Sequence, residues 1–472
     1  MKRPNVLFVF SDQHRACDLG CYGNEQVISP ALDRFAGESV RLTNCIATSP
    51  VCVPMRGSLL TGLHAWKHLA LTNDLPIDPA SPSLADALRQ GGYRTGYIGK
   101  WHLGGIPRDK TIPRHERLGF EHWRVAECTH SYDDSYYDDN ENRRHRFEGF
   151  ESEGQTDLAI EFLRSAERER VGGDGKPWAL ALSWGPPHAP YRTVPQRFLD
   201  RFPAESIELR GNVPERVLQN HFRDQWIGSD EVRAMVAGYY AQIAYLDEQF
   251  DRLLSLLDEL GTADDTIVVY TSDHGDMLGS QGLQKKQLPY DESVRVPFMI
   301  RWPGRIAPGV RTAAMGLVDL PATLASLAGE PAAAVLSDAD GVDRSSWLLG
   351  EEPDDADRAA LIYNAVPCHQ SEDRGETRGW YGVVTATHTY AAWDDGSPFC
   401  LYDNASDPLQ QRNLVGEGAA ARLRDELHAR TVDELERAGG SIAPWREVIR
   451  SLGLREAWNV SQEAFGRELM PE

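Results

Sequence analysis

No apolar run in this chain of 472 residues approaches the roughly 18 residues that cross a bilayer as a helix, so no membrane span is expected. Basic residues are also scarce. Lys and Arg number 49 against 71 Asp and Glu, a formal net charge of −22, and no basic stripe offsets it. That balance argues against nucleic acid and anionic membrane as partners, since both are bound through clustered cations. Cysteine is sparse too. The seven (Cys17, Cys21, Cys45, Cys52, Cys128, Cys368, Cys400) are odd in number, with neither zinc-knuckle spacing nor a dense secreted pattern, which predicts free thiols in a reducing compartment. Internal repeats and low-complexity tracts are absent. The opening MKRPNVLFVFSDQ lacks the apolar stretch and cleavage site of a secretory leader, so a cytoplasmic location is the expectation.

What is present is ordinary globular composition, 41% hydrophobic and 25% charged, in a chain long enough for a large α/β unit with an appendage. Apolar, β-branched or aromatic runs recur at Val6 to Phe10, Tyr93 to Ile98, Trp178 to Trp184, Thr266 to Tyr270 and Val296 to Arg301. Segments of helical spacing separate them, among them 30–37, 83–90, 155–168 and 230–260. This alternation predicts a doubly wound, mostly parallel α/β sheet. Residues 128–154 are polar and aperiodic and read as a long surface loop, with Asp133 to Asp139 a solvated face rather than a substrate contact. A composition shift at 350–360 reads as a linker. It divides a catalytic domain, 1–355, from a smaller C-terminal α+β subdomain, 356–472, with a short antiparallel sheet and a helix over about 418–438.

Chemistry-bearing side chains follow four of the runs: Asp12 and Gln13, then Lys100 and His102, then His188, then Asp273 and His274. Open α/β sheets bind ligands at the carboxyl ends of their strands, so these residues are expected on one edge. In CVPMRGSLLTG, Pro54 suits a first helical turn and Gly62 a left-handed cap, which predicts a helix of about two turns from Cys52. Cys52 and Arg56 then share a face beside a helix N-terminus, a place that attracts anions. Asn73 falls close enough to that helix to contact substrate. His14, His64 and His68 could line the pocket or serve elsewhere, and Trp66, Trp101 and Trp184 could stack on sugar rings or fill the core.

Taken alone, each feature has a plainer reading: a buried thiol with a surface cation, an Asx turn at Asp273-His274, a histidine stacked among prolines, an exposed Lys100 over Trp101. Together and in this order, they resemble a type I sulfatase of the alkaline phosphatase superfamily. The C-x-P-x-R signature stands at Cys52 to Arg56, and the Gly-Lys-Trp-His core at Gly99 to His102. PPHAPY from Pro186, SDHGDMLG from Ser272, the segment Gly282 to Pro303, VDLPATLASLAG from Val318 and LYDNASDPLQQRNLV from Leu401 resemble later landmarks.

The resemblance implies an alkaline phosphatase-like fold and conversion of Cys52 to formylglycine by a formylglycine-generating enzyme. Its hydrate would attack the sulfur of a small anionic sulfate ester, expected to be a sulfated carbohydrate. Asp12, Gln13, Cys52, Asp273 and His274 would hold one divalent metal ion, with calcium expected and manganese open. Arg56 and Lys100 would neutralise charge, His102 would move the proton of the second hydroxyl, and His188 and Lys286 would bind sulfate and protonate the leaving alcohol.

Three positions depart from the pattern: Gln13 where many members carry Asp, Met55 for Ser, and Gln281 where His is common. Two other functions stay open. A phosphonate monoester or phosphodiester hydrolase of the same superfamily is set apart by hydroxyl residues in place of Lys100 and His102, and an unconverted Cys52 would leave a binder of sulfated ligands without turnover.

Overall fold

Every residue of NVLFVFSD is buried, and strand alternation sends its side chains into two cores: Val6, Phe8 and Phe10 to one face, Leu7 and Val9 to the other. This strand, β1 (Asn5–Asp12), lies at the centre of a ten-stranded sheet in the computed structural model, which describes residues 3–173, 175–220, 224–368, 377–467 and 469–471. Its parallel neighbours are β3 (Trp178–Pro187) and β4 (Thr266–Ser272), and β2 (Arg94–Lys100) pairs parallel with β3. The strand His122–Ala126 extends the parallel block beyond β2. Antiparallel strands flank the block, beginning with Phe298–Arg301 against β4. The doubly wound, mostly parallel arrangement matches the sequence reading, and the four strands that carry chemistry all end at one edge.

Helices cover both faces. On one side α1 (Cys52–Thr61) is buried along all ten residues, and its Val53, Met55, Leu59 and Leu60 pack with Phe8 and Phe10. It runs nearly three turns rather than two, to Gly62 in the left-handed region (φ 71°), whose N–H bonds Ser58 O at 2.9 Å. On the other side lie α2 (Glu151–Gly172) and α3 (Ser229–Glu259), whose Phe162, Leu163, Ile243, Phe250 and Leu254 meet Leu7 and Val9. Beyond the main sheet, strands over 359–364, 380–385, 388–393 and 398–403 form an antiparallel sheet, with the helix Ala421–Arg437 resting Leu427 on Val383 and Tyr390.

Residues 128–154 differ from the surface loop expected. Tyr136–Asp138 and Arg144–Arg146 are the last two strands of the large sheet, and Tyr132, Asp138 and Asp139 are buried. Facing charges explain it: Arg144 bonds Asp138 at 2.9 and 3.0 Å, and Arg143 bonds Asp139 at 2.9 Å, so an acidic run pairs internally instead of needing water. Trp101 and Trp184 are fully buried members of the two cores, which leaves neither ring a face for a sugar.

Gly99 is the tightest constraint on that edge. Its φ is 108°, and a Cβ would fall 2.0 Å from Ser183 O on β3. Gly99→Ala is therefore expected to cost about 2 kcal/mol or more and to lower the thermal unfolding midpoint by several degrees. Gly172→Ala, where a Cβ meets nothing within 4 Å, is expected to leave the midpoint in place. Differential scanning calorimetry of the two variants checks this; equal midpoints would contradict the crowding at Gly99.

Candidate active site

The first turn of a helix leaves N–H groups without intrahelical partners. In α1 Pro54 has none to offer, Met55 N bonds Val51 O at 3.1 Å, and Val53 N bonds Asn73 Oδ1 at 3.2 Å. Asn73 thus caps the helix through Oδ1. Cys52 sits at this N-terminus, 1% exposed, with Sγ 3.2 Å from His274 Nε2 and 3.8 Å from Asp12 Oδ1.

Strand ends bring the charges. Asp12 closes β1, and its Oδ2 accepts from Lys100 Nζ at 2.7 Å and Arg56 Nη2 at 3.0 Å. Arg56 also donates through Nη1 to Lys100 O (2.9 Å) and Ser183 Oγ (2.8 Å), with Nε 3.0 Å from Asp273 Oδ2. Asp273 Oδ1 accepts the N–H groups of Gln13 (3.0 Å) and His274 (2.9 Å). Gln13, at φ 70°, is strung between Lys286, which donates to its Oε1, and Asp276, which accepts from its Nε2 at 2.6 Å. All these residues are at most 3% exposed.

The environment sets protonation. Burial opposes charge on Asp12, yet Lys100, His188, Arg56 and His274 hold it well below the usual carboxylate range. Burial and Asp12 push the Cys52 thiol up, but Lys286, His274 and Lys100 outweigh them and leave it below its ordinary value. His102, at φ 56°, is pushed well down by burial, Lys100 and Arg108, and neither ring nitrogen has a partner. It is a neutral, unengaged base. His188 is pushed down by burial, Lys286 and His130; its Nδ1 lies 2.8 Å from Ala189 O, which leaves Nε2 bare. Tyr132 donates to His188 O at 2.9 Å, and the ring of His130 stacks on His188 at 4.4 Å.

Asp12, Cys52, Asp273 and His274 each offer a ligand atom, all within 4.8 Å of one another. His274 Nδ1 lies 2.9 Å from Gly275 O, so Nε2 faces the cluster, 3.2 Å from Cys52 Sγ, and Asp273 Oδ2 is ion-paired with Arg56 Nε at 3.0 Å without a hydrogen bond. Two hard carboxylates, an imidazole and an adjustable position 52 fit a divalent cation.

Every residue singled out at the strand ends, together with Lys286, meets here. His14, His64 and His68 are buried elsewhere: His14 against Tyr270, His64 against Tyr363, and His68 against Ser58 and the Pro54 carbonyl. Gln281 Nε2 donates to Leu409 O and Gln410 O. Sequence reasoning passes over Asp276, although it stands in the SDHGDMLG run; Ser183, inside an apolar strand; and His130 and Tyr132, in the polar segment. Glu127 is another. Its carbonyl accepts His102 N–H at 2.6 Å, its Oε1 accepts Gly104 N–H at 2.8 Å, and its Oε2 is buried without a partner.

The family described as "Sulfatase" matches residues 4–330, and that described as "N-sulphoglucosamine sulphohydrolase, C-terminal" matches residues 279–437. An ulvan-active sulfatase of Formosa agariphila is 34% identical over 93% of this chain and 82% of its own length. An N-acetylglucosamine-6-O-sulfatase of Bacteroides thetaiotaomicron is 28% identical over 90% of this chain and 85% of its own. Among solved structures, a Bacteroides fragilis protein assigned to the sulfatases without a named substrate superposes with a TM-score of 0.82, at 26% identity over 95% of this chain and 98% of its own. A phosphonate monoester hydrolase of Agrobacterium radiobacter gives 0.72 at 21% identity, covering 92% of this chain and 96% of its own, a likeness of fold alone.

Burial raises the Glu127 carboxyl to about 8, against the lowering by Gly104 N–H and Lys110. The folded chain thus keeps a proton that the unfolded chain releases near pH 4.5. Its stabilising contribution is complete below that pH and is lost as pH rises through about 8. Glu127→Gln, which cannot titrate, is expected to match the parent at pH 4.5 and to exceed it at pH 8.5 by on the order of a few kcal/mol in urea titrations. Parallel pH curves for the two proteins would refute the assignment.

Proposed function

Because this chain belongs to the type I sulfatases of the alkaline phosphatase superfamily, we propose that it releases sulfate from a sulfated carbohydrate through a formylglycine made from Cys52. It is a sulfuric ester hydrolase. The observation that carries the finer reading is the buried cluster of Cys52, Asp12, Asp273 and His274 at the α1 N-terminus, ringed by Arg56, Lys100 and Lys286. In a protein of net charge −22 this is the local positive island that a sulfate ester requires. Relatives that act on ulvan and on N-acetylglucosamine 6-O-sulfate support a sugar as the alcohol portion.

When present, the hydrated aldehyde at position 52 supplies an oxygen nucleophile and a second hydroxyl, and a divalent cation, calcium or manganese, supplies positive charge beside them. Asp12, Asp273 and His274 would hold the cation, with Gln13 Oε1 close by on Lys286. Arg56 and Lys100 fix Asp12 and balance its charge. His102, neutral with two free nitrogens, is the base that takes and returns the proton of the second hydroxyl. The Lys286 ammonium steadies a sulfate oxygen, and His188, once its open Nε2 has taken up a proton, donates to a second oxygen and passes that proton to the departing sugar oxygen. The presence of Lys100 and His102, where a phosphonate ester hydrolase is expected to carry hydroxyl residues, favours a sulfate ester. Seven free cysteines support a reducing compartment, the cytoplasm, as its place of work.

Peptide mass analysis after co-production with a formylglycine-generating enzyme is expected to show the Cys52 thiol replaced by an aldehyde, and 4-nitrophenyl sulfate to be cleaved faster than a phosphodiester. Persistence of the thiol would leave a binder of sulfated ligands; faster phosphodiester cleavage would point to the phosphonate branch. In the converted enzyme His102→Ala is expected to lower kcat by about a hundredfold or more. Chelation is expected to lower both the activity and the thermal midpoint, with calcium or manganese restoring both. The midpoint of Asp273→Asn should respond to neither treatment.

A further inference from the structure

Arg108 is a cation beside the site that the chemistry above does not use. Its Nε and Nη2 donate to Asp74 Oδ1 and Oδ2 at 2.6 and 2.8 Å, closing the guanidinium fork on one carboxylate. Asp74 is buried and directly follows Asn73, the cap of α1, so the fork is fixed one residue from the side chain that anchors the Cys52 helix. The Arg108 carbonyl accepts Cys128 N–H at 3.1 Å, and the ring of Phe465 lies 5.2 Å from the guanidinium carbon. With its backbone, one face and two nitrogens committed, only the Nη1 edge remains. That nitrogen has no partner among the described residues, and the side chain is 28% exposed.

Arg108 stands beside the reacting groups: Cys128, held by its carbonyl, follows Glu127, whose own carbonyl accepts His102 N–H at 2.6 Å, and the Arg108 charge pushes down both His102 and His130. His130 stacks on His188 and keeps a buried Nε2 without a partner. The scissile sulfate already has Arg56, Lys100 and Lys286, three buried cations. A fourth, rigidly held and partly open to solvent, is placed for a different anion on the same molecule.

We propose that Arg108 is a specificity-determining residue whose Nη1 edge recognises a second oxyanion, a carboxylate or a further sulfate, on the substrate near the scissile ester. The inference rests on the sulfatase reading of the Cys52 site. It makes the preferred substrate at least doubly anionic. Asp74 offsets part of the guanidinium charge, so the preference expected is about tenfold, at the modest end for a charge-assisted hydrogen bond.

The test measures kcat/KM of the converted, full-length enzyme for 4-nitrophenyl sulfate and for its 2-carboxy and 2-sulfonate derivatives. Dividing each anionic ester's value by that of the plain ester, and then variant by parent, cancels both intrinsic reactivity and the fraction of active protein. Arg108→Gln is expected to lower the ratio about tenfold, and Arg108→Lys, which keeps charge but loses the fork, by less. A fall confined to the carboxy ester identifies a carboxylate as the second group, and one confined to the sulfonate identifies a sulfate. If Arg108→Gln fails to fold, Arg108→Lys carries the test, with the ratio expected to fall by about threefold. Ratios within about twofold of the parent for both anionic esters, while the plain ester is still turned over, would overturn the proposal. Turnover of no ester by the parent would overturn the sulfatase reading and this inference with it.

Discussion

Asp12 stands where three segments distant in sequence must meet. Its Oδ2 takes Lys100 from β2 and Arg56 from α1 at the end of the strand that organises both cores. Two fully buried carboxylates and the buried cations around them would each be costly alone in a protein interior. Their mutual neutralisation is therefore a condition of the fold as much as of the chemistry. The same pairing fixes the distance from the α1 N-terminus to β1, and so places Cys52 beside Asp12, Asp273 and His274.

The parts of this arrangement that were legible in the sequence are those dictated by backbone periodicity. Alternation in Val6 to Phe10 and the Pro54 and Gly62 punctuation of α1 are local signals, and local geometry realised them. Because parallel strands present their carboxyl ends at one edge, the placement of Asp12, Lys100, His188 and Asp273 followed from topology alone. Lys286 was reached only through family resemblance, since nothing in its own surroundings along the chain marks it.

What escaped was decided by pairing across the fold. Gln13 reads as a possible metal ligand, but its orientation is set by Asp276 and Lys286, more than 260 residues away. The polar segment after Cys128 reads as loop because its charges have no period; they cancel only once Asp138 meets Arg144 and Asp139 meets Arg143. Trp101 and Trp184 sit next to chemistry-bearing residues in sequence, yet each is fully buried, Trp184 within β3 and Trp101 just past the end of β2. Asn73 was noticed for its nearness to the Cys52 helix, and what it touches is an orphan N–H.

The complete burial of α1 also bears on the order of events in the life of the chain. Cys52 is 1% exposed and held between Asp12 and His274 at the ends of β1 and β4, so a modifying enzyme cannot seat the C-x-P-x-R segment once the fold has closed. The proposed conversion must then run ahead of folding, in competition with it. A molecule that closes first retains its thiol permanently, which makes the yield of active protein a record of relative rates during synthesis.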